Sequence, residues 1–312
     1  MYSDLKHFIK SALYFFQPKV VLSEYPVNLG YIFHTEKIHD DSLFRQLVEF
    51  CIQFRRMTGA QPICTIIPPT NLLLKQELLE ARFTEDQFVN RLQELSEVAT
   101  LGYHGHFYLN SDPDYINAIH CHSFNRNNLD SQFNRDIEWF ASNGISTNRI
   151  YAGGWWFINK ELVQLLADSG FEFDFTSSRL KYYYNHYSTM VMNRGNIEAG
   201  ESFYLDTRNG RMILCIQNFI TCHDSPFPQD FVRNMKSLLS PNSDKMAVTG
   251  VVNSHDYDLQ FDNTIRCVDY LLKNTSVVFH SFPELVNLLK ENNRPFKIIP
   301  YDVHNKQSPE VS

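Results

Sequence analysis

Between about residue 28 and residue 290, short apolar β-rich runs alternate with helical patterns, and this alternation constrains the fold more than any other feature. Gly30–Phe33 (GYIF) precedes Ser42–Met57, whose apolar residues recur at helical spacing behind the caps Asp40, Asp41 and Ser42. Ile63–Ile67 (ICTII) stops at Pro68-Pro69, the helical stretch Thr84–Ala99 follows, and Thr100–Tyr103 (TLGY) runs into His104-Gly105-His106. Leu129–Ser142 and Asn159–Ser169 read as helices around the strand Ile150–Ala152, and Phe171–Phe175 as the next strand. Phe203–Asp206 and Met212–Phe219 flank an Asn209-Gly210 hairpin signal. Helix 228–239, strand Ala247–Asn253, helix 263–273, strand Ser276–Phe279 and helix 283–290 complete the series. Strands separated by helices pair in parallel, so the class is α/β. No linker or internal repeat interrupts the rhythm. The expected organisation is an amphipathic helix and lead-in over 1–27, one barrel-like domain over 28–292, and a polar tail over 293–312.

Composition narrows the partners. Lys and Arg total 28 against 35 Asp and Glu, a net charge of −7 that gives no general attraction to nucleic acid or to an anionic membrane. The six cysteines are scattered without a C-x-x-C pair, as expected of reduced, buried thiols. The N-terminal apolar residues are interrupted by Asp4, Lys6, His7 and Lys10, and no apolar stretch is long enough to span a bilayer. These features predict a cytoplasmic protein with no secretory signal and no transmembrane segment.

In a barrel of alternating strands and helices, chemistry gathers at the carboxyl ends of the strands. Histidines and carboxylates stand at those ends here: His34 and Glu36, His104 and His106, Asp174, His223-Asp224 and His255-Asp256. In an extended segment His104 and His106 point to the same side, so both imidazoles can meet one divalent ion, with Glu36 first and Asp41 second as the acidic ligand. The alternative is a pair of surface-loop histidines. His255, flanked by Asp256 and Asp258, is either a general acid oriented by a carboxylate or a solvated loop residue. His34 is a base, a further ligand or a core histidine. Trp155 and Trp156, behind Gly153-Gly154, present faces to a sugar ring or simply pack. The same two readings apply to the aromatic stretch Lys181–Tyr187. His120-Cys121-His122 is a second H-x-H with no strand before it. No nucleophile elbow, P-loop or dinucleotide fingerprint is present.

The order of these motifs resembles the polysaccharide deacetylase family, the NodB-homology or carbohydrate esterase family 4 fold, from about Gly30 to Leu289. Tyr31–Glu36 resembles its first motif, a strand ending in an acidic pair, and Leu101–His106 its metal-histidine motif. Ile150–Asn159 occupies the place of the third motif. Leu162–Ser178 is similar to the fourth and places Asp174 in it. Val251–Tyr257 resembles the fifth, whose histidine is the family's general acid. The chain departs from the pattern at three points. His34 stands where the family has a catalytic-base aspartate, Tyr108 where it has the second metal histidine, and Ala152-Gly153-Gly154 where it has an arginine.

The resemblance implies a single irregular (β/α)7-type barrel. It implies a divalent metal, zinc above all, held by Glu36, His104 and His106, acting on an N-acyl group (acetyl or formyl) of an amino sugar. Glu36 or His34 would take the proton from water, Asp174 would orient a partner, His255 would protonate the leaving amine, and Trp155, Trp156 and Tyr108 would meet the substrate. A nucleotide-linked or lipid-linked sugar in surface polysaccharide or lipopolysaccharide assembly suits a cytoplasmic enzyme of this kind. Two further readings stand beside it: a catalytically inactive relative that binds a glycan or protein partner, and a hydrolase of a non-sugar amide.

Overall fold

The computed structural model describes residues 22, 26–108, 126–178, 186–221, 228–239, 248–291 and 296–301. The expected N-terminal helix at 4–16, His120-Cys121-His122, residues 181–185, His223-Asp224 and most of the C-terminal tail lie outside them.

The strands are β1 (Val27–Thr35), β2 (Ile63–Ile66), β3 (Thr100–Gly105), β4 (Ile150–Gly153), β5 (Phe173–Asp174), β6 (Phe203–Asp206), β7 (Met212–Cys215), β8 (Asn218–Thr221), β9 (Val248–His255), β10 (Val277–Phe279) and β11 (Lys297–Ile299). The helices are α1 (Asp41–Thr58), α2 (Leu72–Glu80), α3 (Glu85–Ser96), α4 (Arg126–Ser142), α5 (Lys160–Asp168), α6 (His186–Arg194), α7 (Pro228–Leu239), α8 (Phe261–Asn274) and α9 (Phe282–Glu291). One sheet runs β11-β6-β7-β5-β4-β3-β2-β1-β9-β8, with β10 beside the first half of β1. All of its pairings are parallel except the β6–β7 hairpin. The sheet curls until its β8 edge reaches the segment that follows β5: the Asn218 N–H donates to Ser177 O at 2.8 Å, and Ser178 bridges Asn218. The result is the expected irregular (β/α)7-type barrel.

Local signals account for the elements. The Asp40 carboxylate accepts from the N–H groups of Ser42 and Leu43 and caps α1, which ends at Gly59 in the left-handed region (φ 80°). Phe44, Leu47, Phe50, Cys51 and Phe54 form its buried stripe. Thr84 and Gln87 make a capping box for α3.

Four readings change. Met212–Phe219 is two strands, because the chain leaves β5 at Ile216, whose N–H donates to Asp174 O at 2.9 Å, and then joins β9. Helices α2 and α6 have no counterpart in the sequence reading. The run Leu72-Leu73-Leu74 lacks a polar face to mark a period, yet Asn71 caps it and Leu74 and Leu78 are buried. Within the expected tail, β11 pairs with β6 in parallel, adding an edge strand.

The two faces of the strands build two cores. Tyr31, Phe33, Cys64, Ile66, Leu101, Tyr103, Tyr151, Ile213, Cys215 and Val252 face outward into the core shared with the helices. The intervening Ile32, Ile63, Ile150, Ala152, Phe173, Phe175, Leu214, Ile216 and Val251 face the barrel interior, where Leu285, Val286 and Leu289 of α9 join them. Toward the carboxyl ends this inner row turns polar: Ile32 is followed by His34, Ile63 by Thr65, Phe175 by Ser177, Ile216 by Asn218, and Val251 by Asn253 and His255. The polar residues therefore share one mouth of the barrel.

Candidate metal centre

Glu36, His104 and His106 meet at that mouth. The Nε2 atoms of His104 and His106 lie 3.1 Å apart, and each is 3.5 Å from Oε1 of Glu36. Tetrahedral donors about 2.0–2.1 Å from a shared ion are about 3.3 Å apart, so the triangle has the size of a three-ligand face. The protonation states of Glu36 and His104 agree with that role. Burial alone would raise the Glu36 pKa, but the imidazoles of His106 and His104 outweigh it and hold the carboxyl well below the usual range. Burial drags the His104 imidazole down to about 4 against the pull of Glu36. The His104 Nδ1 lies 2.8 Å from Ala152 O of β4, an acceptor only, so Nδ1 carries the hydrogen and Nε2 presents its lone pair to the triangle. These features make Glu36, His104 and His106 a possible metal site.

The support around the triangle comes from residues far apart in the chain. The N–H of Glu36 lies 3.0 Å from both Asp256 oxygens, and that of Lys37 donates to Oδ2 at 2.7 Å. Asp256 is fully enclosed, and burial raises its pKa to about 7 despite these bonds. His106 is held from two sides. The Asn71 amide donates to its carbonyl at 3.2 Å, and Gln132 of α4 clamps Tyr108, accepting from its N–H at 2.9 Å and donating to its carbonyl at 2.8 Å. One turn on, Asp136 takes hydrogen bonds from Thr70, beside Asn71, and from Tyr103, beside His104. A Cβ at Gly154 would overlap the His106 imidazole. The turn that follows carries Trp155 and Trp156 at φ 49° and 58°, a left-handed conformation that L side chains rarely adopt and that concentrates at functional sites.

His34 and His255 complete the histidine cluster. The His34 ring stacks on His104 at 4.4 Å and meets His255 edge-on at 5.2 Å. Burial, reinforced by the neighbouring His104 and His255, holds the His34 pKa well below its ordinary value. His255 behaves oppositely. Burial lowers its pKa, but the Asp258 carboxylate, 3.1 Å from Nδ1, together with Glu36 and Asp256, raises it overall.

The remaining candidates take other places. Asp41 lies in the first turn of α1 with most of its side chain in solvent, pairs with Arg91, and is not part of the triangle. Asp174 is buried and braces the loop behind β5, accepting from the Thr176 N–H at 3.0 Å and from the Ser177 hydroxyl at 3.3 Å. Thr176 in turn accepts from the Gly153 N–H at 2.8 Å. Trp155 keeps partial exposure and packs against His106 at 4.5 Å, whereas Trp156 and Tyr108 are buried behind the site. Sequence reasoning did not anticipate the parts played by Asn71, Gln132 and Asp256. Only Asp256 carried a signal, as one of the two carboxylates flanking His255: Asp258 holds His255, and Asp256 holds the Glu36 backbone.

No family model and no curated protein matches the chain. Solved structures do. A putative polysaccharide deacetylase from Mycobacterium smegmatis superposes with a TM-score of 0.54 at 9% identity, over 95% of this chain and 96% of that one. A 4-alpha-glucanotransferase from Thermococcus litoralis gives 0.53 at 12% identity, over 88% of this chain but only 42% of the other. A GH57-type branching enzyme from the hyperthermophilic archaeon Pyrococcus horikoshii gives 0.52 at 9%, over 88% and 72%. At these identities the likeness is one of fold. Among the described residues, no helix is long and apolar enough to cross a membrane.

Proposed function

We propose that this chain is a divalent-metal-dependent hydrolase that removes an N-acyl group, acetyl or formyl, from an amino sugar. The observation that carries the reading is the Glu36, His104 and His106 triangle at the carboxyl mouth of the barrel, with a carboxylate-paired histidine two imidazoles away. The barrel it shares with a putative polysaccharide deacetylase supports the sugar as substrate class.

A divalent ion, zinc by the chemistry of two imidazoles and one carboxylate, would supply a Lewis acid that polarises the acyl carbonyl and acidifies water. Glu36 enters ionised and His104 neutral, the forms that ligate. His34, kept neutral by burial, is the base, and the buried Nε2 that has no partner among the described residues is the atom that accepts the proton. His255 stays protonated to higher pH through Asp258 and delivers its proton to the departing amine. Trp155 offers the sugar a partly exposed aromatic face beside His106. A cytoplasmic nucleotide-linked or lipid-linked amino sugar used in surface polysaccharide assembly fits this chemistry. The decisive experiment is a screen of amino sugars carrying different small N-acyl groups, acetyl and formyl among them, for the released carboxylate. Release that depends on added zinc supports the reading, and no release from any of them with zinc bound favours the inactive glycan binder.

Two supports can be tested without knowing the substrate. Gly154→Ala should drive His106 out of the triangle and weaken zinc binding about 10- to 100-fold by calorimetry, with the circular-dichroism spectrum unchanged. Gln132→Ala, which releases the Tyr108 backbone two residues from His106, should weaken zinc at the lower end of about 10- to 100-fold, and unchanged affinity would show that the clamp plays no part in holding the ligand.

A further inference from the structure

The inner wall below the triangle contains an anomaly. Asn218 and Asn253 are at most 1% exposed, and neither the Nδ2 nor the Oδ1 of either amide has a hydrogen-bond partner among the described residues. The Nε2 of His34 is the same. Strand alternation places all three inside the barrel. Their neighbours Phe33, Phe219 and Val252 face the outer core, and Ile32, Ile216 and Val251 lie one inner position earlier. They are also contiguous: His34 is in register with His255 on β9, Asn253 is the next inner residue on that strand, and Asn218 pairs with Val251 just below it. Five buried polar atoms therefore form one stripe across β1, β9 and β8, directly above the apolar floor of Phe175, Ile216 and Val251.

Native proteins pair nearly all buried polar groups with protein, ordered water or a bound group, so a contiguous unpaired set calls for a partner. The amide pair in the stripe carries no charge. It also offers two complete donor–acceptor pairs, and an anion or a bare hydrocarbon would leave half or all of these unmet. We infer that Asn218 and Asn253, one step below His34 on the inner wall, form a recess for a small neutral group carrying its own hydroxyl or amide, so that the acyl group removed here is a hydroxyl-bearing one such as a glycolyl group, in preference to plain acetyl. The inference rests on the hydrolase reading only for which end of the ligand enters. With its carbonyl at the triangle, an acyl group whose substituent lay along the inner wall would set that substituent against Asn253 and Asn218, and a methyl group there would leave both amides unpaired, the situation in which a site built for hydrogen bonding discriminates most strongly.

The test compares glycolamide with acetamide, which differ by one hydroxyl, binding to the full chain by calorimetry with and without zinc. Glycolamide should bind at least tenfold more tightly. Asn253→Leu and Asn218→Leu should each erase the difference, leave zinc affinity unchanged, and raise the thermal midpoint, since each removes two unpaired buried atoms. Equal binding of the two amides to the wild type overturns the recess, as does a lowered midpoint in both folded variants, which would mean that the fold itself satisfies the amides. The wild-type comparison decides the matter even if a leucine variant fails to fold. Because it is run without zinc as well, a chain that binds no metal would end the hydrolase reading while leaving the recess to be judged on its own result.

Discussion

His104→Ala should abolish stoichiometric zinc binding. Purified wild-type chain loaded with zinc and passed through a desalting column is expected to retain one equivalent by elemental analysis, and the variant to retain essentially none. The size of the effect follows from the position of His104. Its Nε2 faces both other donors, at 3.1 and 3.5 Å, and its Nδ1 is tied to β4, so its loss leaves two donors where an open catalytic site needs three. The ring is fully buried and His34 stacks on it, so truncation also opens a cavity, and the variant should melt at a lower temperature than the metal-free wild type. Asp41→Asn serves as the contrast. Asp41 lies on the surface with Arg91, and its substitution should leave the zinc content at one equivalent. Wild-type protein that carries no divalent ion under any loading condition would end the hydrolase reading.

The second large effect concerns His255. If it donates the proton to the leaving amine, His255→Ala should lower kcat about 10²- to 10⁴-fold while zinc affinity stays within a few-fold. The sign of the pH dependence is set by its partner. Asp258, Glu36 and Asp256 raise the His255 pKa against burial, so the acid form is complete below the ordinary histidine value and is lost as pH rises through the raised one. Activity should therefore fall on an alkaline limb. In Asp258→Asn the largest raising contribution disappears and burial remains, which shifts the limb to lower pH and costs activity most at neutral pH. The ion pair makes the same statement about stability: its contribution is present below the ordinary value of about 6.5 and fades as pH rises through the raised one. An alkaline limb that does not move in Asp258→Asn would remove His255 from the proton-transfer step.

Much of this arrangement was legible before any coordinates. Strands such as ICTII and AVTGVVN declare themselves by being apolar on both faces, as strands buried between a barrel interior and a layer of helices must be. His104 and His106 declare themselves by spacing, because residues two apart in a strand share a face. Other parts left no local trace. The Leu72-Leu73-Leu74 run has no polar face by which to read a helix, and the C-terminal strand Lys297–Ile299 depends on β6, almost a hundred residues earlier, to exist at all. The aromatic residues illustrate the same limit. Trp155, Trp156 and Tyr108 are equally plausible as platforms in one dimension, yet Trp155 is half-buried while the other two are buried.

The sequence by itself determined the α/β class, the end of the barrel where chemistry collects, and the pairing of His104 with His106 on one face, since periodicity and strand-end position are properties of neighbours in the chain. The tertiary structure decided that Glu36 rather than Asp41 faces the histidines, that Asp258 holds His255 while Asp256 holds Glu36, and that Asn218 and Asn253 stand unpaired inside the barrel. Each of those outcomes depends on distance and solvent exclusion between residues from different strands. These are quantities that exist only once the sheet has curled.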